Sequence, residues 1–227
     1  MMPTSHLVML LTGAYLIGSI PFGLIVARLH GVDIRRAGSG NVGATNVGRV
    51  LGKKWGILVF LFDVGKGILV SLVVASLTNT VEFQTGALRD WIWLGAGATC
   101  VIGGMFPFYL KFRGGKGVAA SLGVILGIYP YLTLPGLLAL VLWGVVVRFT
   151  GFVSLGSLCA AAFLPIGFAV MSRLAAWPLS DHYPLLCLLV TIALLVIARH
   201  RDNIRRLLAG TENRIGRIRS GNPSQAP

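Results

Sequence analysis

The run "RAGSGNVGATNVGR", Arg36 to Arg49, sets four glycines, one serine, one threonine and two asparagines between two apolar segments. Glycines at this density free backbone N–H groups to converge on an anion. Ser39, Asn41, Thr45 and Asn46 add neutral donors, and Arg49 adds charge. A second run, "FRGGKGVA" from Phe112 to Ala119, repeats the device with Lys116 as its cation. Both suit the cradling of phosphate. A third cluster, "RHRDNIRR" from Arg199 to Arg206, places His200 and Asn203 three residues apart on one helical face.

Neither glycine run reads as a nucleotide motif. Gly38, Gly40 and Gly43 satisfy GxGxxG and Asp63 follows Gly43 by 20 residues, but no strand precedes the loop and Asp63 lies inside the apolar run "WGILVFLFDVGKG". A P-loop requires Ser or Thr after Gly-Lys, and here Gly117 follows Lys116. Cys100, Cys159 and Cys187 stand singly in apolar runs without CxxC spacing, so they read as reduced packing residues and no metal site or cofactor is expected. An acyltransferase of the HxxxxD class is excluded, because none of His6, His30, His182 and His200 has Asp five positions on.

The elements that must position these loops are membrane helices. The chain has 227 residues of which 12% are charged, and its mean hydropathy of +0.80 is too apolar for an ordinary soluble surface. Apolar runs at roughly 6 to 27, 55 to 78, 91 to 110, 118 to 130, 131 to 147, 152 to 171 and 183 to 198 predict an all-α integral membrane bundle of seven transmembrane helices. Pro130 and Pro135 interrupt the stretch from 118 to 147, which is either one kinked span or two short ones. Charge decides for two. Seven spans gather Arg28, Arg35, Arg36, Arg49, Lys53, Lys54, Lys111, Arg113, Lys116, Arg148 and the arginines from Arg199 to Arg219 on one side. The other side keeps Arg89 and Arg173 with Glu82, Asp90 and Asp181. The positive-inside rule then puts the N-terminus outside and the C-terminus in the cytoplasm. The net charge of +13 therefore reports topology, and no nucleic-acid partner is expected.

Residues 1–220 read as a single polytopic membrane domain with cytoplasmic active-site loops, and 221–227 as a disordered tail. From His200 to Arg219, Ile204, Leu207, Leu208, Ile215 and Ile218 recur at helical spacing among arginines, which predicts an amphipathic helix on anionic membrane lipids. Asp63 and Lys66, three apart in an apolar run, are expected to form a structural ion pair. Ser154 and Ser157 are expected to be helix-packing hydroxyls.

Six runs in order, "GSIPFG", "SGNVGATNVGR", "FDVGKG", "FPFYLKFRGGKG", "SLGS" and "RHRDNIRRLLAGTE", make nearly the whole chain resemble the bacterial acyl-phosphate:glycerol-3-phosphate acyltransferases. The resemblance implies a seven-helix enzyme of the bacterial inner membrane, without cofactor or metal. It would move a fatty acyl group from acyl phosphate to the 1-hydroxyl of glycerol 3-phosphate, the first acylation of phospholipid synthesis, downstream of an enzyme that makes acyl phosphate. It implies Ser39, His200 and Asn203 as catalytic residues. Asn41, Gly43, Thr45, Asn46, Arg49, Gly114, Gly115, Lys116 and Gly117 would bind substrate, with phosphate on the run from Gly114 to Gly117. Two positions depart from the family pattern: Gly104 stands where histidine is common before Phe-Pro, and Arg113 where lysine is usual.

A mixed-anhydride donor is already activated, so catalysis is expected to rest on positioning and oxyanion stabilisation. Asp33 and Asp202 are the only acids expected beside the cytoplasmic runs, and the one candidate protein base, His200, could equally bind phosphate. The acceptor's own phosphate is therefore expected to take or relay the hydroxyl proton, with His200 as the alternative base. A transporter for phosphorylated solutes is the alternative. Against it, no inverted repeat is visible, and the midplane polar set is only Asp63 and Lys66.

Overall fold

The computed structural model describes residues 3–78 and 86–215. Among these are ten α-helices: α1 (Thr4–Ser19), α2 (Phe22–Leu29), α3 (Ala44–Val50), α4 (Lys53–Thr78), α5 (Gly86–Met105), α6 (Val118–Gly127), α7 (Thr133–Thr150), α8 (Val153–Leu174), α9 (Tyr183–Arg199) and α10 (Arg201–Leu208). The protein is an all-helical integral membrane protein. The segments Thr4–Leu29, Lys53–Thr78, Leu88–Leu110, Thr133–Thr150 and Val153–Leu174 are long and apolar enough to cross a membrane, and α9 with α10 makes a sixth if that pair, bent by 59°, is one span. All seven apolar runs are helical. However, α6 has only 10 residues, about 15 Å at 1.5 Å per residue, against a hydrocarbon core of about 30 Å. The stretch from 118 to 147 is two helices rather than one kinked helix. Pro130 falls in the turn between them, and Pro135 in the first turn of α7 needs no N–H partner.

Helix breaks and close crossings shape the interior. Pro21 ends the first helical rod, and the freed Ile20 carbonyl accepts a hydrogen bond from Lys66 Nζ at 3.1 Å. That ammonium also lies 2.7 Å from Asp63, so the expected ion pair is present and its second partner is a helix break. Helix α4 runs against α6 with the backbones in contact. A Cβ on Gly123 would lie 2.0 Å from the Val64 carbonyl oxygen, and one on Gly67 2.3 Å from that of Ala120. The main core, which includes Val124, Ile125, Phe168, Leu188, Leu189 and Ile192, fills the space between α5, α6, α8 and α9. A second cluster of Leu24, Ile34, Val42, Val47 and Val59 clamps the glycine run and α3 onto α4. Outward positions such as Leu61, Leu72, Val141, Ile166 and Leu194 stay exposed and apolar, as lipid-facing residues do.

At the end of α5 remote from the glycine runs, Asp90 is fully buried and bonded to His182 Nδ1 at 2.6 Å, while Arg89 stacks on Trp93 and Tyr131. The amphipathic tail helix needs correcting. Helix α10 stops at Leu208, Gly210 takes a left-handed φ of 67°, and the chain turns back until the Ile215 N–H bonds the Gly151 carbonyl at 2.9 Å. Gly210 is a helix stop, and the charged face of a longer helix could not have reached the bundle interior. Glu82, Ile218 and the tail from 221 to 227 lie outside the described residues.

Gly123→Ala is expected to destabilise the bundle by about 1–3 kcal/mol, because a backbone carbonyl cannot yield as a side chain would. Gly65→Ala, with nothing within 4 Å of the added carbon, should melt in detergent at or above the wild-type temperature. Equal melting temperatures for the two variants would contradict the close crossing.

Candidate active site

The first glycine run is a loop tied down from within. Gly38 and Gly40 adopt left-handed φ values of 59° and 70°, and these two turns wrap the chain around one buried side chain, Asn46. Asn46 Oδ1 accepts the Ser39 N–H at 2.7 Å, and Nδ2 donates to the carbonyls of Ile34, Ala37 and Asn41. The sequence reading offered Asn46 as a phosphate donor. The structure instead bonds both ends of its amide within the loop. Asn41 Oδ1 accepts the Gly43 N–H at 2.8 Å, a turn just ahead of α3. Ser39, Asn41, Thr45 and Arg49 line a cavity of about 660 Å³, with Gly43 at its wall.

The second run also turns its glycines inward. The N–H groups of Gly114 and Gly115 bond the carbonyls of Met105 and Gly104 at 3.1 and 3.0 Å, so the expected convergence of these amides on an anion does not occur. Their carbonyls in turn accept Arg199, whose guanidinium lies 5.0 Å from the Phe106 ring. Gly114 is glycine because a Cβ there would sit 2.4 Å from the Gly104 carbonyl oxygen. The amides left for a ligand lie one turn on. Gly117, with φ of 75°, caps α6; Val118, Ala119 and Ala120, whose first-turn N–H groups have no backbone partner among the described residues, line the same cavity.

The third cluster closes the ring. Lys116 Nζ donates to Asn203 Oδ1 at 2.5 Å, and Asn203 Nδ2 donates to Glu212 Oε1 at 2.7 Å. Ser154 Oγ reaches the same carboxylate oxygen at 3.0 Å, and Arg206 Nε holds the other at 2.8 Å. Burial pushes the Glu212 carboxyl up, but bonds from Asn203, Arg206 and Ser154 outweigh it and keep the group below the ordinary carboxylate range. Glu212 corrects the expectation that Asp33 and Asp202 are the only acids near the site. It was legible in "LLAGTE": a helix-stopping glycine two residues before a lone acid. Ser154 is therefore a ligand of that carboxylate rather than a packing hydroxyl, whereas Ser157 bonds its own helix carbonyl at 2.9 Å as expected.

His200 sits between α9 and α10 and is 2% exposed. Its Nδ1 lies 2.8 Å from the Val196 carbonyl, so the proton is on Nδ1 and Nε2 offers a lone pair. Burial first, and the Lys116 charge second, lower its pKa to about 4, which leaves the ring neutral at pH 7. Burial likewise lowers Lys116 to about 8; Glu212 opposes the shift while Arg206, Arg49 and Arg199 add to it.

The cavity runs from this polar end to an apolar one lined by Leu140, Trp143, Ala161, Leu164, Ile192 and Leu195. Asp63 and Lys66 face it, as does Gly104, where a Cβ would stand 3.7 Å from Lys66 Nζ. Among the described residues no group of three or more His, Cys, Asp or Glu side chains comes together as a metal-binding set.

A family model described as glycerol-3-phosphate acyltransferase matches residues 8–210. A relative of that description from Syntrophotalea carbinolica is 44% identical over 214 residues, covering 93% of this chain and 98% of its own. One from Aquifex aeolicus is 39% identical over 201 residues, covering 88% and 95%. Among solved structures, the glycerol 3-phosphate form of PlsY (YgiH), an integral membrane glycerol 3-phosphate acyltransferase, superposes with a TM-score of 0.79 at 38% identity over 93% of this chain and 96% of that one. Its lysophosphatidic acid form gives a TM-score of 0.77. Cavity, motifs and fold agree: this chain belongs to the glycerol-3-phosphate acyltransferase family.

Proposed function

We propose that this glycerol-3-phosphate acyltransferase takes its acyl group from acyl phosphate, at the cytoplasmic face of the bacterial inner membrane, and releases lysophosphatidate and inorganic phosphate. The observation that carries the reading is one cavity that joins Lys116, Asn203, His200 and Arg49 at its polar end to an apolar trough past Trp143 and Leu164. A phosphate and a fatty chain fit those two ends. The glycerol 3-phosphate and lysophosphatidic acid forms of the similar PlsY structure support the same pair of ligands. The seven apolar helices, α1 with α2 counted as one rod and α3 and α10 excluded, are read as seven spans with the N-terminus outside. Supporting this, every loop rich in arginine and lysine then lies at one end of the bundle.

In this reading the acceptor phosphate lies on Lys116 and the free amides of α6, while Ser39, Asn41, Thr45 and Arg49 receive the donor phosphate. The C1 hydroxyl oxygen bonds to the acyl carbonyl carbon, the carbonyl electron pair moves to oxygen, and collapse breaks the bond to phosphate, which leaves. Held groups replace a bimolecular encounter, worth about 7 to 11 kcal/mol where alignment is good. The hydroxyl proton passes to the acceptor's own phosphate, whose second pKa near 6 suits a base at neutral pH. His200, lowered to about 4, is the weaker base. Glu212 is weaker too, since the bonds from Asn203, Arg206 and Ser154 hold its carboxylate ionised. Both therefore serve as positioning groups, His200 through Nε2 and Glu212 through Asn203.

Lys116 carries a pH signature. Its amine is charged below about pH 8 and loses charge above it, so KM for glycerol 3-phosphate should rise as pH increases through that value. Lys116→Arg, always protonated, should flatten that limb. Lys116→Ala should raise the same KM about 10- to 100-fold at pH 7, as loss of a charge-assisted contact of about 1.5–3 kcal/mol implies. A wild-type KM independent of pH, or a defect confined to acyl phosphate, would move that phosphate elsewhere.

Orientation is checked by single cysteines in a background without Cys100, Cys159 and Cys187. Lys54→Cys and Phe112→Cys should react with an impermeant thiol reagent only after cells are opened, and Ser180→Cys in intact cells. The reverse pattern would invert the protein in the membrane.

A further inference from the structure

A second cavity of about 520 Å³ lies beside the catalytic one. Arg35, Arg36 and Arg113 line it with Asp33, and none of these four borders the catalytic cavity. The two share one short wall, made by Ser39, Asn41, Val42, Gly114 and Arg199. Asp33 lies 3.5 Å from both Arg35 and Arg36, and among the described residues Arg113 has no ion-pair partner. Four arginines against one aspartate give this chamber a strong positive potential, and Arg199 carries that potential through the wall, since its guanidinium is pinned to the Gly114 and Gly115 carbonyls. The chemistry already assigned uses none of Arg35, Arg36 or Arg113.

The reaction creates a need that this chamber fits. Acyl chains reach the trough from lipid, but each turnover also exchanges two water-soluble anions with the cytosol. We propose that the second cavity is an anion port, through which glycerol 3-phosphate enters and inorganic phosphate leaves, with Arg35, Arg36 and Arg113 drawing phosphate species to the wall at Ser39. The inference rests on acyl phosphate being the donor, because only then is inorganic phosphate a product. Arginines are suited to the task, since a guanidinium presents paired donors to phosphate. Their fields, focused by the low-dielectric bundle, concentrate anions at the entrance.

The test compares the wild type with an Arg35→Gln, Arg36→Gln, Arg113→Gln triple variant and with the corresponding triple lysine variant, in vesicles of zwitterionic lipid. At low salt the glutamine variant should lose about tenfold in kcat/KM for glycerol 3-phosphate, the lower end of electrostatic steering, with kcat and the acyl phosphate KM unchanged within about twofold. Inhibition by added inorganic phosphate should weaken in parallel, and physiological salt should shrink the difference. Lysine should restore most of the loss. If the triple glutamine variant does not insert, Arg113→Gln alone should show the same pattern at a smaller size. An unchanged kcat/KM and phosphate inhibition would overturn the port, as would a defect in acyl phosphate KM alone. A defect that appears only when anionic lipid is added would also overturn it, by assigning the arginines to headgroups. If the wild type releases no inorganic phosphate, the donor assignment has failed rather than the port.

Discussion

One buried carboxylate holds a crowd of cations together. Arg49, Arg199 and Arg206 all act on Lys116 across the cavity mouth, and Glu212 opposes them. Its oxygens are taken by Asn203, Ser154 and Arg206, so it stays ionised, and through Asn203 it fixes the Lys116 ammonium. Glu212, with Asp202 against Arg199, leaves these four cations short of negative charge. Cations taken partly out of water need a counter-charge, and a phosphate dianion supplies one where the protein does not. In the proposed reading, substrate affinity and site architecture share one electrostatic cause.

The rest of the fold serves that placement. The chain break at Pro21 exposes a carbonyl that, with Asp63, neutralises Lys66 beside the cavity. Backbone contact between α4 and α6 sets the height at which α6 begins, and so where the amides of Val118, Ala119 and Ala120 point. In the proposed reading the shortness of α6 places its N-terminus at the cavity, where a phosphate can reach it. Arg199 ties the end of α9 to Gly114 and Gly115, which brings His200 and Asn203 to Lys116 across more than eighty residues of sequence. Three loops remote in the chain become one site through these ties.

Much of this was legible in the sequence, because hydropathy and charge are averaged over long runs and survive local detail. The helices, the pairing of Asp63 with Lys66 and the convergence of three polar runs came from such averages. The partners of individual amides did not. Glycine and asparagine in a polar loop serve a ligand or the loop itself equally well by residue type. Asn46, Gly114 and Gly115 border the cavity as Ser39, Thr45, Arg49 and Lys116 do, and only the observed bonds show that the side chain of Asn46 and the amides of Gly114 and Gly115 are taken up within the protein. Glu212 escaped because a basic amphipathic spacing suggested a helix running on to Arg219, and the stop signal at Gly210 was given too little weight. Its carboxylate meets Ser154 from 58 residues away, a pairing that no local pattern encodes.

In the proposed mechanism the enzyme positions the reactants and the acceptor's own phosphate takes the proton. This mechanism is tested most directly by varying the acceptor rather than the protein. The pH dependence of kcat would be measured with glycerol 3-phosphate, with its methylene phosphonate analogue of higher second pKa, and with its difluoromethylene phosphonate analogue of lower second pKa. The account requires the acidic limb of kcat to move with the acceptor's own second pKa, upward for the first analogue and downward for the second. A limb that stays at one pH for all three acceptors would assign the proton to a protein group, with His200 the first candidate, and would contradict the account.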